Sequence, residues 1–336
     1  MKKKYMITGA SGFIGTNFVD YLINDNTDDI DIINIDKKPP INPRHQKYWY
    51  KCNILDKPKL IEVFQKYQPE IILHLAARAD CDGSTLSDYI DNTIGTENVI
   101  SAIKSCQSVK RAIFTSTQYV FRPGDKQPAN DQDFNPHTEY GQSKVLNELA
   151  VRNADLQCIW TIIRPTNIWG PWHLRYRDQF LQVLYTGKYF HPQGDNVIKS
   201  YGYVGNVVDQ IFKIFNCNGE VVNRQVFYVG DRPLKLIDWV NVFSNEIKGK
   251  NVRVLPKFFV KIIALIGDII NFSGIKFPIT SSRYNSMVTN YITSMDKIFE
   301  VFGESEYTLK EGVNRTLNWL KSEESGADYC RSKNER

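Results

Sequence analysis

Between Tyr5 and Ile23 the chain passes from a short apolar stretch, Tyr5-Met6-Ile7-Thr8, directly through Gly9-Ala10-Ser11-Gly12-Phe13-Ile14-Gly15. A helical pattern of Phe18, Val19, Leu22 and Ile23 follows. A strand, a glycine turn and a helix in that order restrict the fold more than any other feature of the sequence. Glycines let the backbone approach a pyrophosphate, and the free N–H groups and dipole at the helix start favour an anion there. Asp31 to Asp36 reads as the second strand and ends in a carboxylate about 20 residues beyond the loop, where an adenosine ribose would lie. Asp36 would accept hydrogen bonds from both ribose hydroxyls and repel a 2′-phosphate, which favours NAD. Lys37 and Lys38 follow directly and soften that repulsion, so NADP stays open.

Strand and helix patterns then alternate. Tyr48–Ile54, Ile71–Ala77, Arg111–Thr117 and Trp160–Arg164 read as strands, with helices over Leu60–Tyr67, Tyr89–Ser105 and around Tyr140. Such alternation predicts an α/β fold with a doubly wound parallel sheet. The strand ending at Leu75-Ala76-Ala77 is buried in type, and its small residues suit a backbone passing close to a flat cofactor ring. Beyond Pro165 the alternation breaks down, leaving helices over Asp178–Tyr185 and Val204–Phe215 and a returning strand over Val226–Val229. The chain is expected to cross between two lobes. Residues 1–171 and 203–231 form the dinucleotide-binding domain, 172–202 and 232–322 form a smaller lobe, and 323–336 form a polar, frayed tail. Lys257 to Phe272 is a strongly apolar helix with one polar stripe of Lys257, Lys261, Asp268 and Asn271. Packing inside the small lobe or in a subunit contact is the favoured reading of it; a helix lying on a membrane interface is the alternative.

On a helix, Tyr140 and Lys144 share a face. A phenol titrates near ~10 and becomes a base at neutral pH only when a fixed cation stabilises its phenolate. The pair is therefore a candidate for taking the proton of an alcohol. The formal net charge of +5 over 336 residues is spread along the sequence, with Lys2-Lys3-Lys4 the only basic run at the N-terminus, so nucleic-acid binding is not expected. The six cysteines contain no C-x-x-C pair, which argues against a zinc site or a disulfide framework and for a reducing cytoplasm. No metal is expected, no export signal is read at the N-terminus, and no apolar run reaches the length of a bilayer span.

Several motifs together resemble the extended branch of the short-chain dehydrogenase/reductase superfamily, the NAD-dependent sugar epimerases and dehydratases. That family's T-G-x-x-G-F-I-G loop is matched by Thr8–Gly15, its L-A-A by Leu75-Ala76-Ala77, and its N-x-x-G-T by Asn92, Gly95 and Thr96. The hydroxyl motif reads Ser116-Thr117-Gln118-Tyr119-Val120-Phe121-Arg122, and R-P-x-N-x-x-G-P is matched by Arg164, Pro165, Asn167, Gly170 and Pro171. The resemblance implies a Rossmann-type sheet with a smaller C-terminal substrate lobe, a bound NAD and a homodimer through the Asn92 and Tyr140 helices. It gives Tyr140 the role of base, with Lys144 lowering its pKa, Thr117 holding the reacting oxygen and Asn92 ordering a water behind Lys144. Gly9, Gly12, Phe13, Ile14, Gly15, Asp36, Asn53, Ile54, Leu75, Ala76, Ala77 and Pro165, with Tyr140 and Lys144, would hold the cofactor. Asn167, Lys199 and Arg283 would hold a diphosphate, with Arg78 and Ser84 nearer a sugar.

Departures from the family pattern narrow the expectation. Dehydratases follow the catalytic threonine with Asp-Glu; here Gln118-Tyr119 stands there, which disfavours dehydration. Asn53 replaces an adenine-contacting Asp. The diphosphate motif R-D-F-x-Y-V-x-D becomes Lys199-Ser200-Tyr201-Gly202-Tyr203-Val204-Gly205-Asn206, and a lysine gives up the fork geometry of arginine. This version is most similar to bacterial epimerases acting on N-acetylglucosamine linked through diphosphate to a polyprenyl carrier, with UDP-sugar 4-epimerases close by. The expectation is an NAD-dependent 4-epimerase of a diphosphate-linked hexosamine in surface polysaccharide (O-antigen) biosynthesis. It would be cytoplasmic, with a peripheral membrane contact through 257–272. A 4-ketosugar reductase and a non-catalytic dinucleotide sensor are the rival readings.

Overall fold

The computed structural model describes residues 2–25, 30–124, 128–194, 196–272, 274, 277 and 279–334. Five strands alternate with four helices through the first half: β1 (Lys3–Thr8), α1 (Phe13–Asp25), β2 (Ile30–Asp36), β3 (Trp49–Lys51), α2 (Lys57–Tyr67), β4 (Ile71–His74), α3 (Ile94–Lys104), β5 (Arg111–Thr115) and α4 (Glu139–Arg152). The second half continues with β6 (Ile159–Pro165), β7 (Asn167–Trp169), α5 (Leu174–Tyr176), α6 (Gln182–Tyr185), β8 (Phe190–Pro192), β9 (Ile198–Lys199), β10 (Tyr201–Tyr203), α7 (Val204–Asn216), α8 (Gly219–Val222) and β11 (Gln225–Val229). Then come β12 (Leu234–Lys235), α9 (Leu236–Lys248), β13 (Arg253–Leu255), α10 (Lys257–Phe272), α11 (Ser281–Val288), α12 (Asp296–Phe302) and α13 (Leu309–Asn334).

The main sheet has seven parallel strands in the order β11-β6-β5-β4-β1-β2-β3. The order reverses between β1 and β4, and ligands of such sheets lie outside the strand ends at that crevice. Both faces of the sheet are covered. Tyr5 and Ile7 of β1 pack with α1 and α7, whereas Met6 between them packs with α2 and α3. This is the period-two alternation of a strand buried on both sides.

Beyond β6 the chain leaves the sheet and returns to it at β11. The excursions are tied to each other: β9 pairs antiparallel with β12, and β8 pairs parallel with β13. Trp169, Tyr203, Trp239 and Phe243 join them to one continuous core. The final helix α13 runs from Leu309 to Asn334. Of the expectations for 257–272, packing of the whole helix inside the small lobe is corrected. Val260, Ala264 and Gly267 of α10 are buried and Ile263 and Ile270 half-buried, while Phe258, Phe259, Leu265, Ile266, Ile269 and Phe272 are exposed.

Candidate active site

A cavity of about 550 Å³ opens along the carboxyl ends of β1, β2, β4, β5 and β6. Gly9 starts it with a φ of 77°, and a Cβ there would strike the backbone of Leu75 and Ala76. Glycine thus lets the loop lie directly on the end of β4. At Gly12 a Cβ would approach only the Gly9 carbonyl oxygen, at 3.3 Å, so the space above the loop belongs to the cavity and to the N-terminus of α1. Asp36 is held at the far end. One carboxylate oxygen accepts from the Ser11 N–H at 3.3 Å and the other from the Lys38 N–H at 2.9 Å, while burial raises its pKa. Lys37 pairs with Asp91 at 2.6 Å, both on the cavity wall, and with Lys38 still acts to lower the Asp36 pKa. Phe13, Ile14, Gly15, Asn53, Ile54, Leu75, Ala76, Ala77 and Pro165 also line the cavity, so every residue expected to hold the dinucleotide lies on one surface. The glycine cradle, the carboxylate for ribose hydroxyls and the small residues for a flat ring fit NAD.

Thr117, Tyr140 and Lys144 meet at the opposite end. Thr138 caps α4 by accepting from the Gly141 N–H at 3.0 Å, which puts Tyr140 in the first turn. A Cβ on Gly141 would collide with the Tyr119 carbonyl oxygen, so glycine lets this turn seat against the loop that carries Thr117. Burial raises the Tyr140 pKa, and the Thr117 hydroxyl, hydrogen-bonded to the phenol, acts in the other direction. Lys144 donates to the Thr115 carbonyl oxygen at 2.8 Å. Burial brings its pKa down to about 8, and Glu148 opposes that. Lys144 is not among the groups acting on the phenol in this arrangement; Thr117 does the lowering.

Asn92 is held by hydrogen bonds to the loop after β4 and to α4. Its side chain accepts from the Arg78 N–H at 2.8 Å and donates to the Arg78 carbonyl oxygen at 3.1 Å and to Ser143 Oγ at 2.9 Å. It braces the loop after β4 against α4, and it does not line the cavity. Arg78 is engaged with Asp80 and Asp88, and Ser84 is exposed with its N–H donated to Asp88; neither lines the cavity. Asn167 lines it and hydrogen-bonds Tyr176 and Tyr201. Lys199 is buried, burial brings its pKa down to about 8, and its ammonium has no partner among the described residues. Arg283 donates to Gln179 at 2.9 Å. The charge of Arg175 reaches both Arg283 and Tyr119, which connects α11 to the tyrosine end of the site.

Sequence reasoning missed several of these groups. Tyr119, Thr166 and His173 line the cavity. Burial lowers the pKa of His173 to about 4, and its Nδ1 accepts from the Tyr176 N–H at 3.1 Å, so the ring is neutral with its hydrogen on Nε2. Its signal was its place directly after Gly170-Pro171-Trp172. Behind the site Glu148, fully buried, accepts from Ser116 Oγ at 2.6 Å and from Arg164 at 2.8 and 2.9 Å. Among the described residues that line the cavity, the only carboxylates are Asp36 and Asp91, and Asp36 stands at the ribose end. Gln118 is turned out toward Thr293.

A doubly wound sheet with a glycine-cradled dinucleotide cleft facing a threonine, a tyrosine and a lysine defines an enzyme of the NAD-dependent class that works on an alcohol carbon. The chain belongs to the NAD dependent epimerase/dehydratase family, whose pattern matches residues 5–230. It is 26% identical, over 95% of its length and 96% of the relative's, to an N-acetyl-α-D-glucosaminyl-diphospho-ditrans,octacis-undecaprenol 4-epimerase of Escherichia coli O157:H7. A putative UDP-glucose 4-epimerase of Methanocaldococcus jannaschii is also 26% identical, over 94% of this chain and 98% of that one. Among solved structures, UDP-glucose 4-epimerase of Thermotoga maritima superimposes with a TM-score of 0.72 at 22% identity, covering 95% of this chain and 99% of the other. The cofactor of the family is NAD.

Proposed function

We propose that the protein is a 4-epimerase of an N-acetylhexosamine carried on a polyprenyl diphosphate, working in surface polysaccharide assembly. The observation that carries this reading is the meeting of Thr117, Tyr140 and Lys144 at the end of the dinucleotide cleft, where the described residues lining the cavity include no carboxylate besides Asp36 and Asp91. NAD, when bound, supplies the acceptor for the C4 hydride and the donor that returns it to the other face of the sugar. Tyr140 takes the proton of the 4-hydroxyl, Thr117 holds the same oxygen and through its hydrogen bond to the phenol favours the phenolate, and Lys144 presents its ammonium on the same cleft wall. Expulsion of water would need a further acid and base beside Tyr140, and Gln118-Tyr119 stand in the two positions after Thr117 where the family's dehydratases carry Asp-Glu. Lys199 and Arg283 bind the diphosphate, with Asn167 on the cavity wall between carrier and sugar. The full-length similarity to the Escherichia coli enzyme supports the polyprenyl carrier, and the equal identity to the Methanocaldococcus jannaschii relative keeps UDP as the second carrier to test. Ile90 and Ile94 beside α3 and Leu146 and Leu149 on α4 are exposed, and we assign the homodimer contact to them.

The test is to denature the purified protein, identify any released dinucleotide, and follow C4 inversion of N-acetylglucosamine on polyprenyl diphosphate and on UDP. Stoichiometric NAD with inversion on the lipid carrier is expected, and Tyr140→Phe should abolish it in a folded protein. A protein that consumes NADPH against a 4-ketosugar would instead be a reductase.

A further inference from the structure

The broadest apolar face without a partner among the described residues belongs to α10. At roughly 100° per residue, Val260, Ala264 and Gly267 form one inward stripe. A Cβ on Gly267 would overlap the Ile279 carbonyl oxygen, so this stripe is tightly seated. On the opposite side Phe258, Phe259, Ile262, Leu265, Ile266, Ile269 and Phe272 are between 37% and 96% exposed. Seven large apolar side chains covering about half the circumference of one helix exceed what a solvated surface normally leaves uncovered.

The charges around this face indicate what covers it. From Ile247 to Phe272 the chain carries five cations, Lys248, Lys250, Arg253, Lys257 and Lys261, against one carboxylate, Asp268. Lys257, Lys261 and Asp268 fall on one edge of the apolar arc, where Asp268 accepts from the Ser281 N–H at 3.1 Å, and Lys248, Lys250, Arg253 and Lys261 are exposed. A second copy of the chain meeting this face by a twofold axis would bring two such basic sets together. The exposed residues of α3 and α4 already offer a copy another surface. A wide apolar arc rimmed by cations matches the interface of an anionic bilayer, with the rings among the acyl chains and the cations at the head groups.

We propose that α10 docks the protein on an anionic phospholipid bilayer. Its function there rests on the polyprenyl-carrier reading: α10 packs on α11, which carries Arg283, so docking brings the diphosphate-binding side to the surface where such a carrier is anchored. The binding itself stands independently of that reading.

The test is sedimentation of the full chain, without substrate, with vesicles of phosphatidylethanolamine and phosphatidylglycerol and with vesicles of phosphatidylcholine alone. The wild type should sediment with the anionic vesicles and lose most of that binding at high salt. Phe258→Ser/Ile269→Ser should stay in the supernatant, while its turnover of detergent-dispersed substrate equals that of the wild type. Lys250→Gln/Lys261→Gln, which leaves the apolar arc intact, should bind roughly fivefold more weakly per cation removed. Equal binding to both vesicle types, or serine and glutamine variants that both sediment like the wild type, would overturn the proposal. So would a wild-type oligomer that the serine variant converts to monomer, because the face would then belong to a second copy. Vesicle binding by a protein that inverts only UDP-linked sugar would overturn the carrier reading and leave the docking helix in place.

Discussion

Lys199 is the residue whose behaviour in solution is most tightly specified by its surroundings. It lies on β9, paired with Leu234 and bridged to Tyr291, and burial is the only influence on its titration, bringing the pKa from 10.5 to about 8. The ammonium is therefore present below about pH 8 and fades as the pH rises. If it grips the diphosphate, kcat/KM falls roughly tenfold per pH unit above that point, because kcat/KM reports the free enzyme. Lys199→Met should abolish this alkaline limb and lower the plateau about 10- to 100-fold, since a charge-assisted hydrogen bond contributes ~1.5–3 kcal/mol. Lys199→Arg should keep the plateau near its wild-type height and push the limb beyond pH 9, since a guanidinium titrates above about 12. Lys144 also titrates near pH 8, and the arginine variant separates the two. A limb that stays near pH 8 in Lys199→Arg belongs to Lys144 and refutes the assignment. Stability supplies a second readout. A lysine whose folded pKa is depressed carries its burial penalty in full below about pH 8, and the penalty lifts as the pH climbs toward 10.5. Removing it relieves on the order of 3 kcal/mol at neutral pH. Lys199→Met should thus melt higher than the wild type at pH 7 while losing substrate affinity, and the two melting curves should converge near pH 10. A variant that melts lower at pH 7 would mean the ammonium has a partner in solution.

Glu148→Gln removes the charge that neutralises buried Arg164 and turns one of the two acceptor oxygens shared by Arg164 and Ser116 into an NH2 donor; a loss of about 3–5 kcal/mol in urea unfolding is expected. Its kcat should fall more than its KM rises, because Ser116 precedes Thr117, and near wild-type values of both would dismiss the network as incidental. Asp36→Asn keeps the shape and removes the charge at the ribose, so NAD affinity should drop about tenfold or more while NADP affinity changes less; titration of the emptied protein with each dinucleotide reads this directly. Gly141→Ala drives a Cβ into the Tyr119 carbonyl oxygen and must shift the first turn of α4. Turnover should collapse with a melting temperature lowered by a few degrees and NAD binding at the glycine loop retained; full activity would show that the turn is free to move.

The parts of the fold that could be read from the sequence are those fixed by local chemistry. The turn after β1 needs glycine because its backbone lies on β4, and Asp36 follows because a strand must end where the ribose would lie. Tyr140 and Lys144 share a face by helical geometry alone. What could not be read depends on contacts distant in the chain. Lys37 reads as an unpaired cation beside the ribose, whereas Asp91, far along the sequence, pairs with it on the cavity wall. Asn92 sits in a family motif, yet its amide is satisfied by Arg78 and Ser143, neither of which the motif mentions. Glu148 looks like an ordinary helical carboxylate until β6 brings Arg164 against it.

The helix α10 shows the same boundary from the other side. Its hydrophobic pattern is nearly continuous, so periodicity cannot say which arc turns inward, and apolar content alone argues for burial of the largest residues. Tertiary contact inverted that expectation. Close packing against Ile279 admits only a glycine and its small neighbours, and once that stripe is seated the phenylalanines and isoleucines must face outward. Burying them inside this lobe would need α10 to rotate by about half a turn, which would drive Phe258 and Ile269 into the space that Gly267 leaves. The apolar face is therefore a consequence of how the helix is anchored, and its partner is not among the described residues of the chain.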